Sequence, residues 1–146
     1  MTTKIELPTN YRRILFRGRV FNSHDWVEGS LIQVGACHLI WSDGQDGGVE
    51  VEPGSVGQYT GKQDINGKPI FEGDLVNVRI PWTRVSLPMD LGVHRVDFVD
   101  GAFVLTDHTG STPMCGYAPS VVMEVVGKAY DRLEEVAENG GRQGSS

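Results

Sequence analysis

The chain has 146 residues, with 13 lysines and arginines against 19 aspartates and glutamates, so its formal net charge is −6. This length suits one domain or two small lobes. The negative charge argues against broad, sequence-independent binding to nucleic acid or acidic lipid, which needs a positive field, although a local basic patch is compatible with it. Nineteen glycines between short apolar runs indicate many turns.

The N-terminal half predicts a series of short β-strands. Apolar and charged residues alternate over residues 12–19, which is a strand pattern, and later runs predict strands over 31–34, 38–41 and 49–52. The glycine- and aspartate-rich segment 42–48 predicts a loop between the last two.

The stretch 56–78 is the most informative part of the chain. Asn66-Gly67 predicts a two-residue hairpin turn, because such a turn needs positive φ at both positions. Gly73 predicts a tight corner before the next strand, where Glu72 and Asp74 are expected to hold backbone amides. The residues expected at turns and corners of the whole chain are Gly57, Gly61, Asn66, Gly67, Gly73, Asp74, Asp100 and Gly101.

The clearest hairpin of the chain turns at Asp100-Gly101. Its register pairs Val99 with Ala102, Phe98 with Phe103, and Val96 with Leu105. The side chains of Phe98, Phe103, Val96 and Leu105 then share one face of the hairpin, which we expect to be buried. On that expectation, Phe98→Ala costs about 3–5 kcal/mol of stability.

The remaining C-terminal elements are less sharply defined. They are a strand over 75–80, proline-containing loops over 81–92 and 107–119, and a strand over 121–126 that is apolar on both faces and therefore expected to be central. A short helix is expected to begin at Asp131, with Glu134 completing a capping box and Gly140 ending it.

Together these elements predict a mainly β fold of short-strand sheets and hairpins with one short C-terminal helix. We expect an N-terminal β lobe at residues 1–56, a C-terminal β lobe at 57–138 and a disordered tail at 139–146, with one compact unit as the alternative. No apolar run approaches the length of a membrane span, and the N-terminus lacks a signal-peptide core. We therefore expect a cytoplasmic protein with no membrane partner.

Candidate motifs for phosphate and metal sites lack the required spacing. Three residues separate Gly57 from Gly61, where a phosphate loop needs four, and Gln63 follows Lys62 in place of its Ser or Thr. Gly67 comes too early in its loop for an EF-hand. The sequence predicts no metal and no cofactor.

The two cysteines have no metal-binding spacing, so Cys37 and Cys115 are expected to be reduced and buried. A hydrolase that pairs Cys115 with His108 or His94 is an alternative, since a thiol nucleophile needs a base within hydrogen-bond reach. No sequence pattern supports that pairing, and we expect the protein not to be an enzyme.

A basic cluster near the N-terminus is the strongest sign of partner binding. Arg13, Arg17 and Arg19 share one face of the first predicted strand, and Phe21 and Tyr59 are aromatic candidates for the same surface. Arginine beside aromatic rings suits single-stranded nucleic acid, a nucleotide-like ligand or an acidic protein patch. The favoured alternative is that these arginines pair with carboxylates of the chain, in part at a subunit contact.

Four groups of residues resemble the YopX family of phage and prophage proteins. They are Phe16-Arg17-Gly18, the step from Trp26 to Gly29, the block from Gly57 to Asp74, and Glu124-Val125-Val126-Gly127 with Tyr130. The resemblance covers residues 14–131, and it departs from the common pattern at 62–63 and 128–129. It implies a phage-encoded, mainly β protein with an SH3-like barrel in its C-terminal half and a tendency to self-associate. It brings no established activity and no functional residues.

The resulting prediction is a non-enzymatic phage accessory protein that acts by binding, as a homo-oligomer that engages a host or phage protein in the host cytoplasm. The alternative is a protein that binds single-stranded nucleic acid or a nucleotide-like ligand through Arg13, Arg17 and Arg19.

Overall fold

The computed structural model describes residues 13–82, 84, 87–117 and 120–133. The strands of this part are β1 (Phe16–Arg19), β2 (Trp26–Val34), β3 (Cys37–Trp41), β4 (Val49–Val51), β5 (Gly57–Gln63), β6 (Pro69–Phe71), β7 (Asp74–Ile80), β8 (Met89–Val99), β9 (Ala102–Asp107), β10 (Gly110–Pro113) and β11 (Val122–Lys128). Short 3-10 turns lie at Pro53–Ser55 and Met114–Gly116, and residues 129–133 are helical. The predicted mainly β class is confirmed. Nowhere in the described ranges is there a helix with the length and apolarity to span a membrane.

The first sheet has the antiparallel order β4-β3-β2-β1-β5-β6. It curls, because β4 also bonds to the segment around the end of β1: the Phe21 N–H donates to Glu50 O (3.0 Å) and the Glu52 N–H donates to Arg19 O (2.8 Å). Val51 is buried by this curl and packs directly onto Gly18, where an added Cβ would lie 2.7 Å from Val51 Cγ2. Only glycine leaves room for that approach.

The second sheet has the order β10-β9-β8-β7-β11 and carries the main core. That core consists of Ile70, Val76, Val78, Val96, Leu105 and Met114. Ile70 belongs to β6, so the end of the first sheet packs onto the second. Val76 and Val78 both belong to the core because side chains alternate along β7, so these two point to the same face.

The β8–β9 hairpin confirms the predicted turn and register. Asp100 and Gly101 both have positive φ (51° and 78°), and the pairs are Val99 with Ala102, Phe98 with Phe103, and Val96 with Leu105. The expectation that the whole face is buried is wrong. Val96 is fully buried, but Phe98 is 51% exposed and packs edge-on against Phe103, with ring centroids 5.1 Å apart. It lies near the turn, where the hairpin reaches the edge of the core.

The SH3-like barrel expected in the C-terminal half is not confirmed. Among the described residues the five strands of the second sheet form an open order, with β10 and β11 at its edges. β5 and β6 belong to the first sheet, so the two sheets separate at Gly73 rather than at Gly57. The division into two lobes stays a prediction.

The strand predicted to be central, over 121–126, is instead the edge strand β11. Its outer side is covered by the β5–β6 loop: the Ile65 N–H donates to Met123 O (2.9 Å), and the Val125 N–H donates to Asp64 Oδ2 (3.0 Å). The loop therefore satisfies backbone groups along the edge of β11 that a further strand would otherwise bond.

The turn at Asn66-Gly67 differs from the predicted two-residue type. Gly67 has positive φ (79°) but Asn66 does not, and the loop runs from Asp64 to Lys68. Asp64 Oδ1 accepts hydrogen bonds from the N–H groups of Asn66 (2.9 Å) and Lys68 (2.8 Å). The aspartate side chain therefore organises the loop.

Four further expectations need correction. β8 begins at Met89, inside the segment 81–92 predicted as loop, and β10 lies inside the segment 107–119. Both cysteines are exposed, because Cys37 follows the turn after β2 and Cys115 lies in a 3-10 turn outside the core. The helical segment begins at residue 129, before Asp131. Glu134, Gly140 and the tail 139–146 lie outside the described residues.

Candidate functional site

An arginine side chain is buried where the two sheets meet. Arg17 of β1 forms an ion pair with Asp74 of β7, with 2.6 Å between Nη1 and Oδ1, and the two side chains are 6% and 1% exposed. The guanidinium carbon lies 4.8 Å from the ring centroid of Phe71 and 5.1 Å from that of Trp26. Arginine suits this position because its planar cation both pairs with a carboxylate and stacks on aromatic rings.

Asp131 continues this arrangement into the helical segment. The Trp26 Nε1–H lies 3.3 Å from both Asp131 carboxylate oxygens, and Arg19 Nη1 lies 3.7 Å from Oδ1. The Arg19 guanidinium also lies over Tyr130, 5.3 Å from the ring centroid, and its Nε–H donates to Ser23 O (2.7 Å). We call Arg17, Arg19, Trp26, Phe71, Asp74, Tyr130 and Asp131 the arginine–aromatic cluster.

The residues predicted to form one binding surface do not share one exposed face. Arg13 and Phe21 are exposed, whereas Arg17 and Arg19 are buried in the arginine–aromatic cluster. Tyr59 is half-buried and packs on Phe71, with ring centroids 5.7 Å apart. The two buried arginines make the carboxylate contacts that the pairing interpretation predicts. A role of these five residues in binding stays a prediction.

The predicted corner before β7 supports the arginine–aromatic cluster. Gly73 has φ +91°, its N–H donates to Val96 O (2.7 Å), and its carbonyl accepts from the Ala129 N–H (2.8 Å). Asp74 Oδ2 accepts from the Phe71 N–H (2.8 Å), as expected for a carboxylate that holds a corner amide. Gly57 lies against Glu72 O, and Gly61 has φ +88° within β5.

A cleft of about 540 Å³ opens between the ends of β7 and β8 and the edge of β11. We call it the apolar cleft, and it is lined by Ile65, Arg79, Ile80, Pro81, Pro88, Met89, Asp90 and Val122. Ile65 and Met89 are exposed, and so are the neighbouring Trp82 (72%) and Leu87 (78%). This surface was not predicted from the sequence. The sequence does contain a sign of it, because large apolar residues lie within the proline-containing segment 81–92.

The residues considered for catalysis do not come together. His94 Nε2 lies 3.2 Å from Asp107 Oδ2 and His94 Nδ1 lies 3.1 Å from Gly92 O, so both ring nitrogens already face acceptors. Cys115 lines a separate cleft in which none of the described lining residues is a histidine. Within the described ranges, no group of three or more His, Cys, Asp or Glu side chains is placed to hold a metal ion.

Comparison with curated proteins and with solved structures found no match. The sequence model of the family described as YopX protein matches residues 15–134. The match includes the strands of both sheets, the corner at Gly73 and the arginine–aromatic cluster. Because it covers most of the chain, this protein belongs to the YopX family.

Proposed function

We propose that this phage-type protein acts by binding another protein and not by catalysis. The apolar cleft carries the proposal. Exposed apolar surface of this kind, with tryptophan and methionine beside an arginine, is typical of protein–protein contacts. Trp82 and Leu87 are exposed and adjoin in sequence the two prolines that line the cleft.

The proposed occupant is an apolar segment of a host or phage protein. The cleft is lined by one cation, Arg79, and one carboxylate, Asp90, so its lining has no formal net charge. The Arg79 side chain also lies 3.5 Å from Glu124. Affinity would therefore come from apolar burial more than from charge.

We also propose that the protein works as a homo-oligomer. Phe98 is exposed beside the β8–β9 turn and packs against Phe103 on the same face, so these two rings offer apolar surface for contact with a second copy. Two neighbouring apolar side chains on a rigid hairpin lose little conformational entropy on association.

Absence of catalysis and of a cofactor is part of the proposal. Its support is the engagement of both His94 nitrogens and the lack of a histidine among the described residues that line the Cys115 cleft. The nucleic-acid alternative has less support, because Arg17 and Arg19 are buried against carboxylates and contribute little free positive charge.

Site-specific photo-crosslinking tests the proposal. A photoreactive residue at Met89 is expected to crosslink one defined protein in infected or prophage-carrying cells. The same residue at Phe98 is expected to crosslink a second copy of the chain, and at Ser111, exposed on β10, to give neither product. The partner identified from Met89 should then bind the purified protein and lose affinity with Ile65→Glu.

Two results would contradict the proposal. One is a Met89 product that forms equally from Ser111, and the other is an identified partner whose affinity is unchanged by Ile65→Glu. Ile65 is suited to this substitution because its side chain is exposed, while its structural contact to Met123 uses the backbone N–H.

A further inference from the structure

A second cleft, of about 450 Å³, lies beside the arginine–aromatic cluster. Arg17, Lys68 and Lys128 all line it, together with Trp26 and Phe71, and we call it the cationic cleft. Lys68 precedes β6 of the first sheet, whereas Lys128 ends β11 of the second. Three cations from distant parts of the chain therefore converge on one concave surface.

Two of these cations make no ion pair with a carboxylate of the described residues. Arg17 pairs with Asp74, but across the described residues neither the Lys68 nor the Lys128 amino group lies within ion-pair distance of a carboxylate. The Lys128 Nζ instead lies 5.4 Å from the ring centroid of Trp26. Glu28 also lines the cleft and Asp74 neutralises Arg17, so the formal charge of the three cations with these two carboxylates is 3 − 2 = +1.

Arg17 also keeps one unused donor. Its side chain is buried, and among the residues that the structure describes its Nε–H has no hydrogen-bond acceptor. Buried donors are normally satisfied, and one left unpaired costs free energy. The cleft thus combines unneutralised charge with an unmet donor on one of its lining side chains.

The electrostatics of Lys128 agree with this geometry. Its pKa is lowered, first by burial and then by the positive charges of Arg17 and Lys68, which outweigh the opposite effect of the Asp74 and Asp131 carboxylates. An anion held between these side chains would offset the repulsion and favour the charged ammonium form.

We propose that the cationic cleft binds a small phosphate monoester, with its phosphate between Lys68 and Lys128 and its apolar part along Trp26 and Phe71. A phosphate oxygen cluster accepts from several donors at once, which suits two ammonium groups beside a guanidinium. The volume falls within the range of small-molecule sites and exceeds what inorganic phosphate alone would fill. The site is distinct from the apolar cleft, and it relies on two lysines that were not part of the predicted arginine face.

Because Lys68 and Lys128 come from different sheets, the bound ester would tie the sheets together. Ligand that binds only the folded state raises the unfolding temperature by mass action. Binding should therefore be visible both as heat of binding and as a concentration-dependent rise in the unfolding midpoint.

The test is calorimetry with phenyl phosphate at pH 7 and physiological salt, alongside thermal unfolding. Inorganic phosphate, phenylacetate and an acidic peptide serve as comparison ligands. We expect phenyl phosphate to bind most tightly, and Lys68→Gln and Lys128→Gln each to weaken it about tenfold, as the loss of one charge-assisted contact implies. Lys62→Gln is the matched control, since Lys62 lines the Cys115 cleft, and it should leave affinity unchanged.

Each other outcome would overturn the proposal. Absence of phenyl phosphate binding, or equal weakening by Lys62→Gln, would show that no specific phosphate site exists there. Tighter binding of the acidic peptide would assign the cleft to a protein partner. If Lys128→Gln alters the near-UV circular dichroism, the affinity of Lys68→Gln alone decides the test. Within the described part of the chain, the Lys68 side chain makes no ion pair or ring contact that the fold would lose.

Discussion

The Asp64 carboxylate fixes a loop and the edge of a sheet at the same time. Oδ1 accepts from the N–H groups of Asn66 and Lys68, and Oδ2 accepts from the Val125 N–H of β11, 61 positions away. Burial raises the pKa of Asp64, but the three backbone hydrogen bonds and the nearby Lys68 charge lower it by more. The pKa of Asp64 therefore lies below its ordinary value of 3.8.

This shift predicts a loss of stability in acid. Because the pKa is lower in the folded state, the contribution of Asp64 is fully present above its unfolded pKa and is lost as pH falls through the folded pKa. Asp64→Asn is expected to cost about 2 kcal/mol at pH 7, from the lost charged acceptor. Urea unfolding of both proteins between pH 7 and pH 2 should show the difference shrinking below the ordinary pKa.

Asp100→Asn is the control for removing one negative charge, because it lies at an exposed hairpin turn where asparagine also tolerates positive φ. A difference between wild type and Asp64→Asn that stays constant over the whole pH range would contradict the role of the ionised carboxylate. From the sequence, Asp64 was weighed only as the first residue of an EF-hand-like loop, which the position of Gly67 argued against. Its bond to Val125 was not predictable, because no local pattern specifies which strand edge a loop will meet.

At the scale of elements, the β8–β9 hairpin shows what local sequence does determine. The turn residues and the apolar pairs specify the same register, so the pairing of Val96 with Leu105 followed from the sequence alone. The depth of burial along that face did not, because it depends on where the edge of the core falls. β11 illustrates the same limit: its apolar pattern predicted a central strand, but its outer edge is bonded by a loop and not by another strand.

The difference in burial between Val96 and Phe98 predicts that truncating the smaller side chain costs more stability than truncating the larger one. Val96→Ala, in the fully buried core, is expected to cost about 2 kcal/mol, from two lost methyl groups and the resulting cavity. Phe98→Ala removes more atoms but is expected to cost about 1 kcal/mol, since half of the ring is exposed and its main contact is Phe103. Urea midpoints at equal m-values measure both, and a larger loss for Phe98→Ala would place that ring in the core.

For the whole molecule, the decisive contact is the buried pair between Arg17 of the first sheet and Asp74 of the second. These residues are 57 positions apart, and each was singled out from the sequence for a different reason: Arg17 for a binding face and Asp74 for a corner. Their meeting depends on how two complete sheets pack, which alternation and turn chemistry do not encode. The same packing converts an arginine expected on a surface into a buried cation between two aromatic rings.

This ion pair predicts that the two sheets unfold as one unit. It also predicts that the Asp74 carboxylate destabilises the fold once Arg17 is removed. Arg17→Met keeps the apolar stem but removes the charge, and it is expected to cost about 3–5 kcal/mol because a buried carboxylate loses its partner. Adding Asp74→Asn removes that unpaired charge while its amide oxygen still accepts from the Phe71 N–H. The double variant should therefore be more stable than Arg17→Met alone, with tryptophan fluorescence and far-UV circular dichroism following one urea transition.

A double variant no more stable than the single one would mean that the ion pair does not hold the sheets together, and their junction would then rest on the apolar contacts of Ile70 and Phe71.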